Sequence, residues 1–311
     1  MKIVFFGSGL FAVESLKALV SAKQNVVLVV TRPDVKQGRH LLIKGTPVKE
    51  YALSQGLEIY QPRDINNEES QRILEEMGAD VFIVVSFGRI LKKNILDLPK
   101  MMAINIHASL LPQYRGASPV NQALINGDLK TGVTFIRMNE RMDEGDMIWQ
   151  KEIVIGQADN APILEQKLSS LAADSLMSVL SALKEGRVDF KKQDEKFVKY
   201  APIIKKEDGL ICWEKSAKDI VNHFRGYFGW PGSFTYHKGS ILKILSLDYG
   251  RQEDVDASPG EVINITSDFI EVACLCGSVL IREVVPQAHK KMSVKSFLAG
   301  HKLEVGEVFG R

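Results

Sequence analysis

Cysteine is scarce in this 311-residue chain: Cys212, Cys274 and Cys276 are odd in number and form no C-x-x-C pair. That excludes a disulfide scaffold and a sequence-readable zinc site, and it points to a reduced cytosolic protein. Cys274 and Cys276 alternate along an apparent strand and read as packing residues. An excess of one charge is also missing, since 40 Lys+Arg face 38 Asp+Glu. Bulk charge therefore does not announce a nucleic-acid binder. No apolar stretch approaches the ~20 residues that a membrane span needs. The first residues, MKIVFFGSG, enter a strand at once and leave no room for a signal or transit peptide. Repeats and low-complexity tracts are absent as well. The expectation is a soluble, cytoplasmic protein with no contact to a membrane. No extended apolar stripe demands a dimer, so a monomer is expected, with enough chain for two compact domains.

The first half alternates short apolar runs with helical periodicity. Residues 2–6 (KIVFF), 26–30 (VVLVV), 80–85 (DVFIVV) and 102–106 (MAINI) read as strands, and 11–21 and 68–78 as helices. Continuous apolar strands separated by helices mean a mainly parallel sheet covered on both faces, a doubly wound Rossmann-like α/β domain. GASPVNQALING (116–127) is a short helix, TGVTFIRM and MIWQKEIVI are strands, and a longer helix covers about 162–184. Polar residues 185–208 are the linker candidate. Beyond them, a helix (216–226) and the short strands SFTYH, LKILSL, GEVINIT, FIEVAC and SVLIREVV suggest a small OB-like β-barrel. The boundaries drawn from this pattern are a catalytic domain over 1–190, a linker over 191–207 and a C-terminal domain over 208–311.

GSGLFA (7–12) matches G-x-G-x-x-A between the first strand and the first helix, a loop able to bring backbone N–H groups to an anion. A dinucleotide enzyme would usually carry an acid after the second strand to hold the ribose, and here Thr31-Arg32 stands there. Arg32 keeps an NADP reading open, but a tight turn without a dinucleotide is favoured. The stronger region runs from 105 to 146. Asn105 and His107 alternate with Ile104 and Ile106, so both polar side chains share one face at the carboxyl edge of the sheet. Farther on, RMDEGDMI offers Asp143 and Asp146 around a glycine turn.

A carboxylate beside an imidazole fixes its tautomer and favours the cationic form. A cationic imidazole and an amide NH2 are both donors, and two donors converging on a carbonyl oxygen stabilise a tetrahedral oxyanion. Ser109 has no nucleophile-elbow setting and no thiol lies near in sequence. Acyl transfer to an amine supplied by the substrate fits this set. Spacing alone serves equally a plainer reading, in which Asn105 caps a turn and His107 is an ordinary strand-end histidine. A metal held by His107, Asp143 and Asp146 is disfavoured, and no metal is expected.

At these residues a resemblance becomes specific. The run NIHASLLPQYRGASPVNQALINGDLKTGVTFIRMNERMDEGDMI is similar to N-x-H-x-SLLP-x-Y-RG-A-x-P, GD-x-x-TGVT and LD-x-GD of the methionyl-tRNA formyltransferases, a branch of the 10-formyltetrahydrofolate-dependent formyltransferases. FFGSGLFAVESL, TRPDVKQGR, SFGRIL, KYAPIIKKEDGLICW, GWPGSF and KKMSVKSFLAG extend the likeness over nearly the whole chain. The resemblance implies 10-formyltetrahydrofolate as formyl donor and the α-amine of initiator methionyl-tRNA as acceptor. It implies Asn105, His107 and Asp143 as the catalytic set, with Asn105 and His107 on the formyl oxygen and Asp143 holding His107 charged and helping to take up the amine proton. By the same likeness Ser109, Leu110, Leu111 and Pro112 line the tetrahydrofolate site, and Gly88, Arg89, Ile90 and Leu91 offer backbone groups to the pterin.

The RNA side rests on local charge. Residues 32–49 hold five basic side chains, Arg32, Lys36, Arg39, Lys44 and Lys49, against Asp34 alone. Such a loop can bind phosphates at the acceptor end of a tRNA, and the resemblance places Arg39 at the family's functional arginine. After GR this chain has HLLIKG, more apolar than its relatives. From 205 onward 14 basic residues meet 14 acidic ones, so any RNA surface there is a patch, with Lys290, Lys291 and Lys295 as candidates beside His289. An amino-sugar-nucleotide formyltransferase would keep the catalytic three but lack the basic loop and the KKM…FLAG tail. A formate-releasing hydrolase would not need the RNA surfaces. An NADP oxidoreductase built on GSGLFA would carry a bound nicotinamide cofactor, and a non-catalytic RNA-binding protein would not need His107.

Overall fold

The computed structural model describes residues 1–37, 42–253 and 255–310, and the side chains of all of these except 36, 37, 42 and 43. Its chain divides into two compact units. The first holds residues 1–119, 130–154 and 164–201, and the second 120–129, 155–163 and 202–311.

Chain order begins with β1 (Lys2–Gly7), α1 (Leu10–Ser21), β2 (Asn25–Val30), the antiparallel pair β3 (Val35–Gln37) and β4 (Leu42–Lys44), α2 (Pro47–Ser54) and β5 (Ile59–Tyr60). Then come α3 (Glu68–Met77), β6 (Val81–Val85), α4 (Lys93–Leu96), β7 (Met102–His107), β8 (Arg115–Gly116) and α5 (Pro119–Ile125). After them lie β9 (Lys130–Arg137), β10 (Met147–Val154), α6 (Ala161–Lys184) and β11 (Tyr200–Ala201). The first unit is built on a seven-stranded sheet in the order β10-β9-β7-β6-β1-β2-β5. From β7 to β5 the pairing is parallel, while β9 runs antiparallel to both β7 and β10.

Physical reasons for these elements are local. VVLVV and VFIVV are β-branched runs buried in the sheet, as strands covered on both faces require. Asn67 caps α3 by accepting from Ser70 N at 2.8 Å, Glu68 and Glu69 sit in its first turn, and Gly78 ends it in the left-handed region. Helix α2 is not among the elements expected from the pattern, although Thr46 accepts from Lys49 N at 3.1 Å and Pro47 opens the first turn. Residues of β1, β2, β6 and β7 meet α3 and α4 side chains in one cluster that includes Phe6, Leu74, Phe82, Leu91, Leu96 and Ala103.

The polar segment expected as a linker is strapped to the first unit as far as Ala201. Met147 and Lys191 exchange backbone hydrogen bonds at 2.8 and 2.9 Å, and β11 pairs with β8 in parallel. Its polarity misled because its bonds are made through backbone and polar side chains, which leave no apolar periodicity to read.

In the second unit, α7 (Ala217–Gly226), β12 (Ser233–His237), β13 (Ser240–Tyr249), β14 (Val262–Ile265), β15 (Ile270–Ala273), β16 (Ser278–Pro286), β17 (Met292–Ser293) and α8 (Val294–Gly300) follow one another. The ladders give an antiparallel sheet, β12-β13-β16-β15-β14, with β17 on β16. Among the described residues the pairing does not close on itself. Isolated bridges, Leu210 to Phe234 and Glu261 to Val308, flank β12 and β14 instead. Trp213, Ile220, Ile244, Val272, Ile281 and Phe297 share its core. Burial pushes the Cys274 thiol up to about 12, leaving it protonated and inert.

Candidate active site

Strand β7 ends with Asn105 paired to Val84 and Ile136, and with His107 opposite Thr134. Alternation puts both side chains on one face, and Asp143 meets them there. Asn105 Nδ2 donates to Asp143 Oδ1 at 3.2 Å. His107 Nδ1 lies 3.5 Å from Asp143 Oδ2. Its Nε2–H donates to the Tyr114 carbonyl at 2.9 Å, which fixes the ring plane. The imidazole is 6% exposed and the carboxylate 12%, so neither is exposed to bulk solvent. Gly116 N–H donates to Asp143 Oδ2 at 2.9 Å. A side chain at 116 would collide with the neighbouring strand, because its Cβ would lie 2.5 Å from Ala201 O.

The turn carrying Asp143 is held from two sides. Asp143 has φ 56°, a left-handed conformation costing about 1 kcal/mol for a residue with a Cβ, and Asp tolerates it better than most. Arg137 N donates to Asp146 O at 2.9 Å, and a Cβ on Gly145 would overlap Arg137 O. On the other side Gln193 Nε2 donates to the carbonyls of Asp143 and Gly145 at 2.7 and 2.9 Å. Arg115 Nε donates to Gln193 Oε1 at 2.9 Å, and its terminal nitrogens reach Glu195 at 2.8 and 3.3 Å. Arg115 is 1% exposed. Its hydrogen bond keeps the Glu195 carboxyl below the usual range. Gln193 and Glu195 were not singled out in the sequence, and nothing in a polar run distinguishes them. Arg115 stood in YRG without a role.

The SLLP turn is tied to the neighbouring strands. Ser109 Oγ donates to Gln113 O at 2.6 Å, Thr134 Oγ donates to Ser109 O at 2.6 Å, and Leu111 N donates to Thr134 Oγ at 3.1 Å. Gln150 Nε2 donates to Leu111 O at 3.0 Å. Ser109 and Leu111 are buried, Leu110 and Pro112 half-buried, and the Leu111-Pro112 peptide is cis. Gly88, Arg89 and Ile90 are exposed, while Leu91 belongs to the core. The Ile90 carbonyl already accepts from Asn66 Nδ2 at 3.0 Å. Beside them a cleft of about 600 Å³ is lined by Leu96, Met102, Ala103, Met138, Glu140 and Asp146, among others. It adjoins the catalytic face through β7 and the Asp143 turn, but Asn105, His107 and Asp143 do not line it.

In GSGLFA, Gly9 N donates to Ser86 O at 3.4 Å and Ser8 Oγ accepts from Arg32 N at 3.2 Å, so the loop is braced on its own neighbours. Of the basic loop, Lys44 is exposed and Lys49 pairs with Asp34 at 2.5 Å. Arg39 lies outside the described residues, as does the Lys36 side chain. In the second unit Lys290, Lys291 and Lys295 are exposed, and Lys291 pairs with Glu283 at 2.7 Å. Among the described residues no group of three His, Cys, Asp or Glu side chains could hold a metal, and no helix is long and apolar enough to cross a membrane.

Comparison with known proteins places this geometry. A formyl transferase family model matches residues 1–180, and a model of the formyl transferase C-terminal domain matches 203–302. The methionyl-tRNA formyltransferase of Desulforamulus reducens is 41% identical over 310 residues, covering 100% of this chain and 98% of that protein. That of Geobacter sulfurreducens is 37% identical over 310 residues, covering 100% and 97%. A solved sugar 3N-formyl transferase shares the fold with TM-score 0.67 at 20% identity, covering 93% of this chain and 99% of that one. The chain belongs to the formyl transferases and, within them, to the methionyl-tRNA formyltransferase family.

Proposed function

We propose that this enzyme moves the formyl group of 10-formyltetrahydrofolate to the α-amino group of initiator methionyl-tRNA, as a cytoplasmic monomer. The observation that carries the reaction is the meeting of Asn105, His107 and Asp143 on one face, at 3.2 and 3.5 Å. The amine nitrogen attacks the formyl carbon and the carbonyl pair moves onto oxygen. Asn105 has a second amide hydrogen for that oxyanion. At 3.5 Å the His107 Nδ1 proton is not committed to Asp143 by a good hydrogen bond, and it is the second donor. The carbon–N10 bond then breaks, and the proton lost by the amine passes by way of Asp143 to the departing tetrahydrofolate nitrogen. Holding the two substrates together supplies much of the rate.

The donor's ring system fits the cleft beside Leu91, whose floor of Leu96, Ala103 and Met138 is continuous with the core. The SLLP turn, Ser109 to Pro112, and Gly88 to Ile90 form its approaches. Residues 1–190, with the strap through Ala201, act as the catalytic domain, 202–207 connect, and 208–311 help to hold RNA. Lys36, Arg39 and Lys44, together with Lys290, Lys291 and Lys295, are the phosphate contacts, and Lys44, Lys290, Lys291 and Lys295 are exposed as that role requires. The test is formyl transfer to charged initiator tRNA from 10-formyltetrahydrofolate. His107→Ala is expected to lower kcat by about 10²–10³, the loss of one oxyanion donor. Undiminished product from this variant refutes the assignment.

A further inference from the structure

We infer that Gln193 is a positioning residue for formyl transfer: its amide holds the backbone of the Asp143 turn and thereby sets where the Asp143 carboxylate meets His107 and Asn105. The inference rests on the role proposed above for Asp143.

Three observations carry it. First, Asp143 needs holding. Its φ of 56° lies in the left-handed region, and such a conformation persists only where the surroundings over-determine it. Second, Gln193 supplies the hold. One nitrogen donates to two carbonyls of the turn, Asp143 at 2.7 Å and Gly145 at 2.9 Å, bracketing Glu144. These groups lie on the backbone, so the carboxylate stays free for Asn105 Nδ2, Gly116 N and His107.

Third, Gln193 is itself fixed on both flanks. Two residues before it, Lys191 exchanges backbone hydrogen bonds with Met147, and beyond it Tyr200 and Ala201 pair with Arg115 and Gly116. Its amide cannot turn over. Arg115 Nε points a donor at Oε1 from 2.9 Å, and only the NH2 end can serve two carbonyls. Arg115 in turn is clamped by Glu195. A chain of contacts thus runs from Glu195 through Arg115 and Gln193 to the Asp143 backbone, all in the first unit.

Gln193→Met removes the two bonds donated to the turn, and the acceptor for Arg115 Nε, at nearly constant volume. Gln193→Glu keeps the acceptor for Arg115 and sets a carboxylate against the two carbonyls. Displacing a reacting group by about 1 Å can cost about a hundredfold in rate. Both variants are therefore expected to lower kcat by about tenfold to a hundredfold. KM for the folate and for the tRNA should stay within about twofold, because neither variant removes a substrate-binding group.

The measurement is steady-state kcat and KM for each substrate, with thermal melting, on the full chain. Asp143→Asn and the double variant Asp143→Asn with Gln193→Met are assayed alongside. If Gln193 acts only through Asp143, the double variant is no slower than Asp143→Asn. A lowered melting temperature with unchanged kcat in both Gln193 variants overturns the inference and leaves a structural strap. So does a raised KM at unchanged kcat, or a double variant that multiplies the two losses. Full activity in Asp143→Asn refutes instead the underlying role of Asp143. Should Gln193→Glu fail to fold, the neutral Gln193→Met still decides.

Discussion

Each unit buries polar side chains, and the two arrange them differently. In the second unit they close in small local sets. Trp213 Nε1 donates to Thr235 Oγ1 at 3.0 Å, Ser278 Oγ donates to Glu271 at 2.6 Å, and His223 Nε2 donates to the Asp208 carbonyl at 2.9 Å. In the first unit the contacts are serial, from Glu195 through Arg115 and Gln193 to Asp143, and from there to Asn105 and His107. Local closure satisfies buried donors and fixes a core. Serial closure fixes a geometry, and it ends on groups with hydrogens still to give. Polar burial by itself therefore does not mark a reacting site, whereas convergence of several contacts on one carboxylate does.

Three variants bear on this comparison. Asp143→Asn has the largest expected effect. Asparagine tolerates the left-handed backbone and keeps an oxygen for Gly116 N, while the charge beside His107 and the oxygen that accepts from Asn105 Nδ2 are lost. kcat should fall about a hundredfold or more, with little change in melting temperature, measured by formyl transfer and by circular dichroism. A large fall in melting temperature would make the serial network a folding device like its counterparts in the second unit.

Thr235→Val comes next. It leaves the buried Trp213 N–H without its acceptor, which should cost about 1–3 kcal/mol of stability. Denaturant unfolding measures the loss, and the rate per folded molecule should not change. A change in kcat at full folding would blur the distinction between the units.

The smallest effect is a pH dependence at His223. Burial holds this imidazole below its ordinary range, against the opposing pull of the Asp208 carbonyl. The unfolded chain then takes up the proton more readily than the folded one. His223 contributes stability above pH of about 6.5 that is lost as the pH falls from there through its folded value. Melting temperature should drop more steeply between pH 7 and pH 5.5 in the wild type than in His223→Gln. Equal slopes would mean that His223 does not govern the acid limb.

Much of the fold was legible in sequence, because β-branched runs and helical periodicity report burial directly. VVLVV, VFIVV and the α6 repeat of leucines stand where the pattern put them. The short helices α2 and α4 carried too few turns for a period, and the caps that specify α2 are visible only when sought. The small barrel expected at the C-terminus is a six-stranded antiparallel sheet whose ladders, among the described residues, run from β12 to β14 without pairing these two, a distinction that strand spacing cannot make. At the site, strand alternation brought Asn105 and His107 together, and a glycine turn suggested Asp143. Gln193 was invisible because a glutamine in a polar stretch has no signature, and its partners are backbone carbonyls.

Gln193 follows Asp143 by 50 residues in the chain. During synthesis, then, Asn105, His107 and Asp143 leave the ribosome before the residue whose amide grips the Asp143 turn. A polypeptide cut after residue 190 would retain Asn105, His107 and Asp143 and lack the amide that grips the turn. A shortened chain made to study the Asp143 turn should therefore keep the strap through Ala201, which pairs with β8.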